Sequence, residues 1–274
     1  MRLLGVDLAW SDGRSGVAPN ETGVVAVEPD GTIVDAGWTR GVGETAAWMQ
    51  RWGTDDAIAM VDAPLVVTNA SGMRECEKEI GRRYGRWKVS ANASNLSLPG
   101  TLAGVALVGA LAAGGWVCAA GHGGPPDAGR SMYESFPYLA LVGAPELGYD
   151  VARPIYKRKP RQLAPDEFRA LRAANADDIV RRVATRCDPP IDLRSHAVTA
   201  SLLDEPTPLV DRAAKHREDL LDAVLCAWTG LLWFHHGLAR CQVLGEAGGG
   251  DDGDGSGAPP PATVIAPCRP EQRR

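Results

Sequence analysis

The chain has 274 residues, 45% hydrophobic and 23% charged, with a formal net charge of −5. That balance excludes a wholly disordered chain and a uniformly cationic nucleic-acid coat, and the length suits one large domain or two modest ones. The six cysteines include no CxxC pair, so neither a structural zinc site nor a redox dithiol is indicated.

In chain order, RLLGVDLAW alternates weakly and TGVVAVE, 22–28, reads as a valine-rich strand. Asp30-Gly31 is a two-residue hairpin signal, with TIVDAGWTR as the partner strand. GETAAWMQRW, 43–52, suits a short helix, and 55–63 suits a buried strand that stops at Asp62-Ala63-Pro64. The helix would cross over and set the fourth strand parallel to the first. Residues 73–84 carry an apolar stripe of Met73, Cys76 and Ile80 on a charged helix.

The uncharged run 101–120 is long enough to raise a membrane span. It leans on Gly and Ala, and Gly114-Gly115 breaks it, so it reads as a buried helix, a turn and a short strand. SMYESFP, 131–137, is expected to be the fifth strand of the sheet. An insertion over 143–210 follows, with a basic run RPIYKRKPRQ and a helix near 166–185. A long helix over 211–236 is apolar enough to lie on the sheet. Residues 241–260, around EAGGGDDGDGSGAPPP, read as a flexible acidic linker, and ATVIAP in the closing segment 261–274 as a returning strand. Residues 1–240 would form the main domain. With no secretory-signal pattern at the start, a cytoplasmic protein without membrane attachment is expected.

The acids carry the chemistry. Asp7 lies in an apolar strand and Asp62 ends another, positions where a carboxylate is costly without hydrogen bonds, a cation or a metal. If the two strands are parallel neighbours, the two acids converge. On the last helix, Asp219 and Asp222 are three apart, and His216 extends the row by one step. Four carboxylates favour Mg²⁺ or Mn²⁺ over Zn²⁺, and two such ions can support phosphodiester hydrolysis. Glu134, in SMYESFP, either lines this site or forms a salt bridge in the core. Each acid alone has a bland reading, as a turn partner, a cap or a solvated residue; their element order favours a shared centre.

Tyr156, Lys157, Arg158 and Lys159 combine cations with a flat ring and suit phosphate and base contacts, against the alternative of a solvated loop. Arg74, beside Glu77 on a helix, is either a further substrate contact or half of a surface ion pair. Arg217 and Glu218 are expected to face solvent. No Walker A loop, GxGxxG turn or GxSxG elbow occurs.

GVDLAW (5–10), VDAPL (61–65), RECE (74–77), YESFP (133–137), YK (156–157) and EDLLDAVLCA (218–227) together resemble domain-of-unknown-function family 429 (DUF429). The resemblance implies a ribonuclease H-like α/β fold, with a mixed five-stranded sheet flanked by helices and a helical insertion, close to the Holliday-junction-resolvase branch. It implies a nuclease acting on DNA or RNA, with Asp7, Asp62, Asp219 and Asp222 as metal ligands and His216 in attendance. Many relatives carry glutamate where this chain has Asp62. A phosphotransferase or ATPase of actin-like topology and a noncatalytic binding module are the competing functions.

Overall fold

The computed structural model describes residues 1–10, 18–98, 102–246 and 260–273. Strands β1 (Arg2–Asp7), β2 (Glu21–Val27) and β3 (Ile33–Arg40) form an antiparallel meander, with Leu3 opposite Val27 and Val25 opposite Ala36. The turn before β3 is a three-residue loop, Pro29-Asp30-Gly31, closed by the Glu28 N–H donating to the Thr32 carbonyl at 2.9 Å, and not the two-residue hairpin expected. Gly31 takes φ +92°, and the Asp30 carboxylate accepts the Thr32 N–H at 2.9 Å. Helix α1 (Gly41–Trp52) then crosses over, and β4 (Ala57–Val61) runs parallel to β1, pairing Arg2 with Ala57 and Val6 with Val61.

After helices α2 (Glu75–Tyr84) and α3 (Ala103–Ala112), strands β5 (Trp116–Cys118) and β6 (Arg130–Glu134) complete a sheet of order β3-β2-β1-β4-β6-β5. The sheet therefore has six strands, not five. The short strand after the Gly/Ala helix pairs in parallel with β6 and forms the edge. Among the described residues no helix is long and apolar enough to cross a membrane, and α3 packs beside α1 on the sheet.

Successive strand side chains face opposite ways. Leu4, Val6, Val24, Ala59, Val61 and Met132 face α1 and α3. Leu3, Val25, Ile58, Met60 and Tyr133 face α7 (Asp211–His236), with Leu220, Val224, Trp228 and Leu231 buried against them. Asp7 follows Leu3 and Gly5 in two-residue steps, and Asp62 follows Ile58 and Met60. Both acids therefore emerge on the α7 face.

Two glycines bring that helix close. A Cβ on Gly5 would lie 2.1 Å from the Ala223 carbonyl oxygen, and one on Gly23 would lie 2.0 Å from that of Asp219. The α7 backbone thus rests directly on β1 and β2, with Asp219 and Asp222 over the end of β1.

Helix α4 (Pro137–Gly143) leads into the insertion, whose helices α5 (Pro165–Arg186) and α6 (Ala197–Asp204) pack against α7. Arg217 does not face solvent. Its guanidinium donates to the carbonyls of Ser201, Leu202 and Glu205 at the end of α6. The expected linker at 241–260 begins as strand β7 (Cys241–Leu244), which pairs antiparallel with β8 (Val264–Pro267) in a separate two-stranded sheet. Residues 247–259 of that segment lie outside the described residues.

Candidate metal centre

Three elements deliver the centre. Asp7 ends β1, Asp62 follows β4 and donates its N–H to the Val6 carbonyl at 2.8 Å, and Asp222 projects from α7. One carboxylate oxygen from each lies within 4.8 Å of the others. Asp222 is fully buried, and Asp62 and Asp7 are 8% and 9% exposed. Like charges so placed and so dry oppose their joint ionisation. Burial, and then Asp222, push the Asp7 carboxyl well above its ordinary 3.8. Burial likewise raises Asp62, with Lys157 working against the rise. Asp7 is also in side-chain hydrogen-bond contact with Asp62 and Asp219, and carboxyls in such contact need a shared proton or a cation between them.

Two lysines temper the charge. Lys157 Nζ lies 2.6 Å from Asp222 Oδ2 and 3.8 Å from Asp62 Oδ2. Burial opposes its charge, but Asp222, Asp62 and Asp7 hold it ionised and raise its midpoint. Tyr156 Oη donates to Asp222 Oδ1 at 2.7 Å. On the other side, Lys215 Nζ is 2.6 Å from Asp219 Oδ1 and 2.9 Å from Glu218 Oε1. Burial brings Asp219 up to about 6, against the pull of Lys215. The donors at the centre are all oxygen, and Asp222 Oδ2 receives no well-directed hydrogen bond despite its ion pair. This buried aspartate cluster can coordinate a divalent metal.

The centre opens into a cavity of about 550 Å³, lined by Asp7, Asp62 and Asp219 and also by Trp10, Arg153, Lys157 and Arg158. Arg153 is held by its Nε, which donates to the Lys88 carbonyl at 2.8 Å, and by the Tyr138 ring, 4.2 Å from its guanidinium carbon. Among the described residues, its two terminal nitrogens have no hydrogen-bond partner.

A family model described as protein of unknown function (DUF429) matches residues 5–246. The chain belongs to that family. No curated protein and no solved structure matches it.

In this DUF429 chain the expected site residues divide into groups. Asp7, Asp62 and Asp222 converge, while Asp219 sits beside them, tied to Lys215. His216 does not join them. Its Nδ1 is 2.6 Å from Glu21 Oε2, and its ring stacks on Trp38 at 3.7 Å. Residues spaced by three drift about 60° per step around a helix, so His216 is rotated roughly 120° from Asp222, toward β2 and β3.

Glu134 is also apart from the trio. It ends β6 on the parity of Met132, and Arg74 donates to both its oxygens at 2.7 and 2.8 Å. Arg74 is buried, not a surface partner, and it also donates to Glu77 and to the Val66 carbonyl. These bonds commit its guanidinium to the fold.

The basic run is split by packing. Tyr156 is only 1% exposed and presents no face for a stacking base. Lys157 points into the acids, and Lys159 Nζ donates to the Leu163 carbonyl of its own loop at 2.9 Å. Lys157 and Arg158 both line the cavity, and Arg158 Nη1 lies 3.4 Å from Asn92 Oδ1. The sequence reading missed Lys215 and placed Glu218 in solvent; the spacing of Lys215, Glu218 and Asp219 on one helical face was the available signal.

Proposed function

We propose that this DUF429 protein is a divalent-metal-dependent nuclease that hydrolyses phosphodiester bonds in DNA or RNA, with Mg²⁺ or Mn²⁺ at the aspartate trio. The convergence of Asp7, Asp62 and Asp222 carries the proposal. It brings three dry carboxylates together, two of which, Asp7 and Asp62, line a cavity whose wall includes Arg153 and Arg158. A meander followed by a fourth strand parallel to the first, with a helix carrying acids across them, supports the ribonuclease H-like reading.

A hard divalent ion there supplies Lewis-acid polarisation of a phosphate oxygen and of the attacking water. The chain supplies the placement. Asp7 and Asp62 are fixed by adjacent strands, and Asp222 by a helix seated directly on β1. Asp7 and Asp62 are buried beside one another, and burial raises both carboxyls, so they favour a bound cation over ionising alone. The guanidinium of Arg153, already oriented on Tyr138, neutralises a phosphate neighbouring the scissile one. Trp10 and Phe136 line the same cavity and offer apolar surface to a base or sugar. A second ion beyond the trio would require Asp219 to give up Lys215.

The test is cleavage of labelled single-stranded, duplex and branched DNA and RNA in Mn²⁺ or Mg²⁺. Asp7→Asn and Asp222→Asn should remain folded and lose at least the ~100-fold that loss of an outer-shell partner costs a metal site. Undiminished cleavage in excess chelator, or by Asp7→Asn, would defeat the proposal.

A further inference from the structure

The geometry points to Lys157 as a resident cation of the aspartate centre, occupying the role of a second divalent ion, so that the centre takes one metal ion per chain. This rests on the metal-dependent reading of the site. In a two-ion centre the ions lie about 3.5–4 Å apart and share carboxylates. Lys157 Nζ already bridges two of the three acids, at 2.6 Å from Asp222 and 3.8 Å from Asp62.

The loop leaves this ammonium little freedom. The preceding residue, Tyr156, is buried and hydrogen-bonded to the other Asp222 oxygen. The Ile155 carbonyl accepts from Asn175 Nδ2 of α5 at 2.9 Å. Nζ itself stands 5.3 Å from the Tyr138 ring centroid and 5.5 Å from that of Tyr156. Asp222 is therefore engaged at both oxygens from the insertion side, and the approach left to an ion faces Asp7 and Asp62.

Charge balance leads to the same count. Asp7, Asp62, Asp219, Asp222 and Glu218 face two ammonium groups, Lys157 and Lys215. One divalent ion leaves the group with a single net negative charge. A second would make it net positive beside two fixed cations, and its most natural ligand, Asp219, already has Lys215.

Mn²⁺ alone is the probe. Isothermal titration and the electron paramagnetic resonance of bound Mn²⁺ count ions on the full chain, its Lys157→Arg variant and its Lys157→Met variant, with thermal melts to establish folding. The wild type and Lys157→Arg should bind one ion with a mononuclear spectrum, and Lys157→Met should bind two with an exchange-coupled one. Two ions on the wild type would overturn the inference even if Lys157→Met failed to fold. One ion of equal affinity on both wild type and Lys157→Met would also overturn it, and either result leaves the metal-dependent reading standing. No ion on the folded wild type would remove both.

Discussion

Asp219 offers a test of the centre's electrostatics that needs no substrate. Its carboxyl is buried and titrates at about 6, against 3.8 for the ordinary group. The folded state therefore holds a proton that the unfolded chain has released between those two values. Stability from this group is complete below 3.8 and is lost as pH rises through about 6, because over that window the native state binds more protons. At ~1.4 kcal/mol per pH unit, the ionised carboxylate costs the apo fold about 3 kcal/mol at pH 8. Asp7 and Asp62 push in the same direction.

Replacing Asp219 by Asn keeps the shape and removes the titration, and Lys215 retains Glu218 as its partner. In chelator the variant and the wild type should melt together near pH 4. By pH 8 the variant should be more stable by up to ~3 kcal/mol, about 6 °C in Tm for a chain of this size. Circular dichroism melts from pH 4 to 8 measure the difference directly. Adding Mn²⁺ at one hundred times its Kd should raise both proteins by about 2.7 kcal/mol, since the ion is held by the neighbouring trio. Parallel Tm profiles across the whole range would refute the assignment of Asp219 as a carboxylate kept protonated by burial.

Two further outcomes separate the rim and the scaffold from the centre. Arg153→Gln and Arg158→Gln should each weaken nucleic-acid binding and lower the slope of log K against log salt by about 1, whereas Lys159→Gln should change neither; fluorescence anisotropy over a salt series reads both. Glu134→Ala removes a two-bond partner from the buried Arg74 guanidinium and should cost about 3 kcal/mol in urea unfolding, with Mn²⁺ affinity unchanged.

Much of the centre was legible because strand alternation and neighbour pairing are local rules. The Asp30-Gly31 turn, the crossover helix and the proline after Asp62 place Asp7 and Asp62 at one edge of the sheet. Three-residue spacing on α7 identified Asp219 and Asp222 as acids on related faces. The same spacing misplaced His216, because a three-residue row is not straight on a helix of 3.6 residues per turn. Glu134 was ambiguous for the corresponding reason in a strand. Its face depends on the register that pairs Val61 with Glu134, which leaves Tyr133 and Ser135, not Glu134, on the α7 side.

The basic run was the hardest stretch to read, because charge along a sequence does not reveal what packs against it. Pro154 and Pro160 bracket a loop whose Tyr156-Lys157 pair turns inward against Asp222 while Arg158 and Lys159 remain outside. One insertion thus supplies an internal counter-ion to the acids and, through Arg153 and Arg158, cations to the wall of the cavity. The chain's net charge of −5 consequently says little about its affinity for polyanions. The clustered aspartates call for a cation, and the guanidinium groups of Arg153 and Arg158 on the cavity wall would suit an anion beside it.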